Sequence, residues 1–326
     1  MIWVYFIATA AVIIFAGSRL SILAEKLAKL LNISSSTIGL LLVSIITSLP
    51  ELSTSLGAVL TVGQPNLALG NTMGSDLFNL MIIALCDLLF RKKGLLRQTR
   101  HRIAPLVHYL LMISAIILTL TLPNSITVLG LHFNIGSLGV IILYLFIFFG
   151  THRVGEKHAS PAPPENRSEL SNTILQFSVA ALVIVVAGII LAQLGDRIAD
   201  QTGLDQSFVG TLFLALATSL PELTVSITAM RIGAYDLMIG NIFGSNMFNV
   251  FVVAISDLAY RKEALHMPQN VSPGLLLIAG CAIAMTLIAM VAIKQKEKAR
   301  TLAWESVIMI GLYLTGLYSL YKGFFC

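Results

Sequence analysis

Ten apolar runs, each long enough to cross a bilayer as a helix, decide what this chain can fold into. They lie near 3–23, 36–62, 67–90, 103–122, 125–150, 173–195, 206–230, 235–260, 272–294 and 302–321. A helix needs ~20 largely apolar residues to span the hydrocarbon core, and in lipid only helices or closed barrels satisfy every backbone hydrogen bond. A barrel would show segments of ~10 residues alternating in polarity, whereas these runs are continuous. Only 11% of the 326 residues are charged, well below the ~25% of soluble domains. The expected fold is an all-α polytopic membrane protein without a separable soluble domain. The longest hydrophilic stretch, 151–172, carries Pro161, Pro163 and Pro164 and reads as a cytoplasmic linker.

Charge placement orients the spans. With the N-terminus outside, sixteen basic residues fall on inner loops, including Arg91, Lys92, Lys93, Arg97, Arg100 and Arg102, and only Arg197, Arg261, Lys262 and Lys322 fall outside. The positive-inside rule therefore places both termini outside. The net charge of +5 is thereby a topology signal, and no nucleic-acid partner is needed to explain it. Cys86, Cys281 and Cys326 lack metal-ligand spacing and read as small hydrophobes. Residues 1–16 lack the basic start of a signal peptide and read as the first helix; the cell membrane is the default location.

The chain is written twice. Thr47-Ser48-Leu49-Pro50-Glu51-Leu52 recurs as Thr218-Ser219-Leu220-Pro221-Glu222-Leu223, and residues 70–93 share 11 identities over 24 positions with residues 240–263. The repeated regions are 36–90 and 206–260, within halves 1–150 and 173–326. Five spans precede the linker and five follow it, and an odd number per half forces opposite orientations. That is the inverted-repeat plan of secondary transporters, with a site near the midplane on interrupted helices, here the second and seventh.

Each copy carries a glutamate inside an apolar run, where a carboxylate costs roughly 2.5–3.5 kcal/mol on insertion scales. Pro50 and Pro221 remove a backbone donor beside it and should free the carbonyls of Ile46 and Ala217. Thr47 and Ser48 precede Glu51 by four and three residues, on its face of a near-helical turn, and Thr218 and Ser219 stand likewise to Glu222. In the next span, Ser75 with Asn79 and Ser245 with Asn249 form i, i+4 pairs, while Gly70, Gly74, Gly240 and Gly244 have small-residue spacing for close helix approach. This donor set is all oxygen. It suits hard cations, Ca²⁺ or Na⁺, and not metals that seek thiolate or imidazole. Taken singly, a proline kink or a packing glycine is common in any helix bundle, and Ser or Thr often bonds back to its own helix. Asp87 and Asp257 lie four residues before Arg91 and Arg261 and read as local ion pairs. Asp76 lies about 100° round the helix from Ser75, so its place in a cation site is open.

With both copies in view, the chain resembles the cation/calcium exchanger superfamily, in particular its prokaryotic sodium/calcium exchanger branch, over nearly its whole length. The resemblance rests on Ile46 through Glu51 with Gly74-Ser75 through Asn79, and on Ala217 through Glu222 with Gly244-Ser245 through Asn249. It implies alternating access, with the first and sixth helices sliding past the second, third, seventh and eighth, and Ca²⁺ and Na⁺ sharing overlapping midplane sites. The implied ligands are Thr47, Ser48, Glu51, Ser75, Asn79, Thr218, Ser219, Glu222, Ser245 and Asn249, with carbonyls near Ser44 and Ala215 and with Asp76 as a further candidate. Ile46 and Ala217 replace a usual glycine, and Asn79 and Asn249 stand where some exchangers carry a third acid.

Two glutamates neutralise one Ca²⁺, two Na⁺ or two protons; three Na⁺ would leave a charge uncompensated in low dielectric. The expected function is Ca²⁺/Na⁺ antiport, with exchange against H⁺ or of another hard cation such as Mg²⁺ as the alternative. No cofactor is implied, and one copy of the chain suffices to build the site. An intramembrane hydrolase is disfavoured because neither a His-Glu-x-x-His nor a Gly-x-Gly-Asp motif occurs. A sensor would need output domains that this sequence does not show.

Overall fold

The computed structural model describes residues 2–63, 65–89, 103–121, 125–128, 131–157, 167–202, 214–260, 273–294 and 304–323. Apolar residues at nearly every position make the main elements helices. They are α1 (Ile2–Leu31), α2 (Ser35–Ile38), α3 (Ser44–Thr47), α4 (Leu49–Gly57), α5 (Pro65–Leu89), α6 (Ala104–Thr121), α7 (Ile135–Lys157), α8 (Arg167–Thr202), α9 (Leu220–Ile232), α10 (Tyr235–Ala259), α11 (Pro273–Lys294) and α12 (Trp304–Gly323). Residues 214–218 are also helical and lead into α9. Among the described residues, six helical stretches are long and apolar enough to cross a membrane, and 104–119 and 135–150 are shorter apolar helices.

One short sheet interrupts the helices. β1 (Ser125–Val128) pairs antiparallel with β2 (Leu131–Asn134), in the register Ser125↔Asn134 and Val128↔Leu131. This corrects the expectation of a helix from residue 125. Ile126, Thr127 and Val128 are β-branched and favour strand, and the helix starts where Asn134 caps it, its Oδ1 accepting the Gly136 N–H at 2.9 Å. The linker's ends are helical: α7 runs to Lys157 and α8 starts at Arg167.

The second apolar run is not a uniform helix. Ser34 caps it, accepting the Thr37 N–H at 3.1 Å. Two π-helical turns, Gly39–Val43 and Ala58–Val62, lie on either side of α3 and α4, and such turns mark functional helices. Gly63 ends it with φ 71°, and Gly233 ends α9 with φ 79°; both take the left-handed conformation that glycine alone adopts without steric cost.

α5 and α10 lie side by side at the centre, with α10 the most enclosed of the long helices. α6, α7, α11 and α12 pack around them, and α1 and α8 pair along another flank, joined by the Lys26–Glu169 ion pair at 2.8 Å. Asp87 accepts the Ser306 hydroxyl at 2.8 Å, tying α5 to α12, and Asp257 accepts the Ser137 hydroxyl at 2.7 Å, tying α10 to α7. Their expected partners Arg91 and Arg261 lie outside the described residues.

Small residues set the closest crossings. A Cβ on Gly240 would overlap the Ser36 carbonyl oxygen, and one on Gly39 would come within 2.6 Å of the Leu237 carbonyl oxygen. Gly244 meets Ser44 and Leu40 in the same way. α10 thus touches the backbone of the second apolar run, which holds the kinked segment in place. The flanking pair makes a matched contact: a Cβ on Gly188 would overlap the Pro50 ring, and one on Gly17 would sit 2.9 Å from Thr224 Cγ2.

Gly240→Val should therefore lower the thermal midpoint of the purified protein by several degrees, since overpacking a core costs about 1–3 kcal/mol. Gly139→Val is the control, because nothing lies within 4 Å of its added Cβ. Equal midpoints for the two variants would contradict the close crossing.

Candidate cation site

The site begins at two kinks. Ser48 has φ −95° and ψ 7°, and Ser219 has φ −86° and ψ 7°, both in the sparsely populated bridge region. Each directly precedes a helix with proline in its first turn. The chain bends without unravelling: the Ser48 N–H still reaches the Ser44 carbonyl at 3.0 Å, and the Ser219 N–H reaches Ala215 at 3.0 Å. Pro50 and Pro221 cannot donate to the carbonyls four residues back, so each bend carries backbone acceptors that its own helix leaves free. Glu51 and Glu222 follow in the first turns of α4 and α9, where the helix N-terminus favours negative charge.

Both glutamates are 0% exposed, and each is held by the other's kink. Ser48 donates to Glu222 Oε1 at 2.9 Å, and Ser219 donates to Glu51 Oε1 at 3.2 Å. Ser245 adds a second donor to Glu222 Oε1 at 3.2 Å. These bonds bring the two motifs, 171 residues apart, into one buried cluster. Thr47 Oγ1 lies 3.4 Å from Ser245 Oγ, and Thr218 Oγ1 lies 3.5 Å from Ser75 Oγ. The threonines also bond back to their own helices, Thr47 to the Ser44 carbonyl at 3.2 Å and Thr218 to that of Leu214 at 3.0 Å.

A buried polar atom without a partner forfeits roughly 1–3 kcal/mol, and more when charged. Four oxygens of the predicted set are in that condition: Glu51 Oε2, Glu222 Oε2, Asn79 Oδ1 and Asn249 Oδ1. Asn79 lies one helical turn beyond Ser75 on α5, and Asn249 one turn beyond Ser245 on α10, so each shares a helix face with the serine that meets the opposite threonine. Carboxylate and amide oxygens with no donor left to meet them are what a hard cation coordinates. No group of three or more His, Cys, Asp or Glu side chains occurs among the described residues, so the cluster is one of two acids with neutral oxygens.

Asp76 is placed differently. It is buried, and its carboxylate accepts from the Tyr109 hydroxyl at 3.0 Å and from Asn249 Nδ2 at 3.0 Å. It meets the cluster through Asn249. Its counterpart on α10, Asn246, accepts from Asn79 Nδ2 at 2.9 Å and donates to the Asp76 backbone carbonyl at 3.2 Å.

Sequence reasoning missed an outer ring of amides. Asn71 Nδ2 donates to Ser55 Oγ at 3.0 Å and its Oδ1 accepts from Thr218 at 3.4 Å; Asn241 Nδ2 donates to Ser226 Oγ at 3.3 Å and its Oδ1 accepts from Thr47 at 3.3 Å. The signal was present, since Asn71 matches Asn241 and Ser55 matches Ser226 at the repeat offset. Tyr109 lies in α6, outside the repeated motifs, and nothing in the sequence marked it.

Helices packed around two reciprocally bonded, buried carboxylates define a multi-pass membrane protein with an internal oxygen-lined polar cluster. The chain belongs to the sodium/calcium exchanger protein family, whose model matches residues 1–152 and 172–322. It is 28% identical over 323 residues to an uncharacterized membrane protein of Methanocaldococcus jannaschii, covering 96% of both chains. It is 25% identical over 341 residues to the sodium/calcium exchanger MaX1 of Methanosarcina acetivorans, covering 91% of this chain and 92% of that one. Among solved structures, the sodium-calcium exchanger NCX_Mj soaked with Na⁺ and Sr²⁺ shares the fold with a TM-score of 0.74 at 20% identity, covering 98% of this chain and 99% of that one. Relatives named for an activity are exchangers or antiporters, which are transporters and not enzymes.

If the bare carboxylate oxygens receive a dication, Ca²⁺ should raise the thermal midpoint of the purified protein by mass action on the folded state. Glu51→Gln and Glu222→Gln should each abolish that shift without lowering the ion-free midpoint, because an amide of equal volume is cheaper to bury. A variant that keeps the full Ca²⁺ shift would remove its glutamate from the site.

Proposed function

We propose that the protein is a secondary antiporter that exchanges Ca²⁺ for Na⁺ across the cell membrane. The observation that carries the reading is the pair of buried glutamates, each held through Oε1 by the opposite kink and each keeping Oε2 unpaired. Two negative charges balance one Ca²⁺ or two Na⁺, so the occupied states are equivalent in charge and compete for the same oxygens. Loss of the Ca²⁺, or of both Na⁺, leaves a doubly charged cluster in low dielectric, which favours refilling before the site turns to the other side. Thr47, Ser48, Ser75, Asn79, Thr218, Ser219, Ser245 and Asn249 supply the neutral oxygens.

In this reading ten spans form two inverted five-span repeats, 1–150 and 173–326, joined by a cytoplasmic linker over 151–172, with both termini outside. Support comes from hydrogen bonds that recur in matched pairs at the repeat offset: Ser48 with Glu222 and Ser219 with Glu51, Thr47 with Asn241 and Thr218 with Asn71. Alternating access would move α1 and α8 across the kinked helices, and the glycines at their contacts, Gly17 and Gly188, let the two pack close against Thr224 and Pro50. The second reading is exchange of Ca²⁺ against H⁺, since two protons neutralise the same glutamates.

Reconstituted into liposomes, the protein should accumulate ⁴⁵Ca²⁺ when an outward Na⁺ gradient is imposed at equal pH, and Glu51→Gln or Glu222→Gln should reduce the initial rate at least tenfold. Uptake driven by a pH gradient alone would replace Na⁺ with H⁺ as the coupling ion. Uptake with neither gradient's help would contradict antiport.

A further inference from the structure

An asparagine beside a cation must show the correct end. Its amide offers an acceptor oxygen on one side and a donor NH₂ on the other, and the two exchange by a half-turn of χ2. With the NH₂ inward, the site loses a ligand and gains partial positive charge. Asn79 and Asn249 both leave Oδ1 unpaired and buried while Nδ2 is engaged, so something outside the cluster selects that orientation.

We infer that Asp76 and Asn246 are positioning residues that hold the amides of Asn249 and Asn79 with their oxygens toward the ion. The inference rests on the antiport reading above and extends it to groups that do not touch the ion. Asp76 Oδ1 accepts Asn249 Nδ2 at 3.0 Å, and Asn246 Oδ1 accepts Asn79 Nδ2 at 2.9 Å. Asp76 meets Asn249 with an acceptor oxygen, its other oxygen being taken by the Tyr109 hydroxyl, so the Asn249 amide turns its NH₂ to Asp76 and its oxygen away. Tyr109 occupies the other carboxylate oxygen at 3.0 Å and keeps the Asp76 side chain in place. Asn246 could turn over, but its own Nδ2 donates to the Asp76 backbone carbonyl at 3.2 Å, which leaves its oxygen facing Asn79. Residue 76 and residue 246 occupy the same position in the two repeats, so one device serves both halves, with a carboxylate in one and an amide in the other.

What matters in this account is an acceptor at position 76, not a negative charge. The test compares Asp76→Asn with Asp76→Thr in liposomes, measuring the initial rate of Na⁺-driven ⁴⁵Ca²⁺ uptake against Ca²⁺ concentration. The asparagine keeps an acceptor within reach of Asn249. The threonine can bond to its own helix, as Thr72 does to Ala68, and so be accommodated, but it is too short to reach Asn249. Asp76→Thr should raise KM for Ca²⁺ at least tenfold with a smaller change in kcat, and Asp76→Asn should hold KM within about threefold of wild type. An equal rise in both variants would show that the charge is what counts and overturn the inference, as would an unchanged KM in Asp76→Thr. Should the threonine variant fail to fold, Asp76→Asn decides alone: a tenfold rise in KM refutes the inference, and retention supports it. Absence of Na⁺-driven uptake by the wild-type protein would instead refute the antiport reading.

Discussion

Everything in this molecule is arranged around the cost of burying two carboxylates. Glu51 and Glu222 have no contact with solvent, and no basic side chain among the described residues bonds to either. Neutral hydroxyls take one oxygen of each, Ser48 and Ser219 from the opposite kinks and Ser245 of α10 as a second donor to Glu222. The exchange locks the two halves together at their most expensive point, because separating them would take Ser219 from Glu51 and Ser48 from Glu222. It also leaves the second oxygen of each unsatisfied by protein. A lysine or arginine in its place would give a stable ion pair and a dead end; hydroxyls leave room for a charge that can depart.

The rest of the fold maintains that geometry. Proline bends the helices so that the glutamates enter on first turns, and glycines on α10 let it approach the first kinked segment closely enough for Ser245 to lie 3.4 Å from Thr47. Further out, Asn71 and Asn241 bind the helix after each kink to the neighbouring span, and Asp87 and Asp257 fasten the outer helices. These outer contacts are hydrogen bonds between neutral groups or between a hydroxyl and a carboxylate.

Much of the site was legible because it violates the rule that charge avoids lipid. Glu51 and Glu222 stand out against apolar surroundings, and the repeated motif ties Thr47, Ser48, Thr218 and Ser219 to them. Helical spacing then placed Ser75 and Asn79, Ser245 and Asn249 on common faces. What could not be read were partnerships across the two halves. Nothing in the local pattern of Asn246 says that it accepts from Asn79, or that Tyr109 reaches Asp76, since such contacts depend on how α5, α6 and α10 are packed. The strand pair 125–128 and 131–134 escaped for a different reason: a short apolar run reads the same for a strand as for a buried helix, and its β-branched residues carry the distinction.

The central claim is that one metal ion is shared by both glutamates, and anomalous diffraction from crystals soaked in Ca²⁺ tests it most directly. The account predicts a peak about 2.3–2.6 Å from an oxygen of Glu51 and an oxygen of Glu222 together, the usual range for calcium–oxygen bonds. A peak bound by one glutamate alone, or seated elsewhere in the bundle with the pair unoccupied, would contradict it.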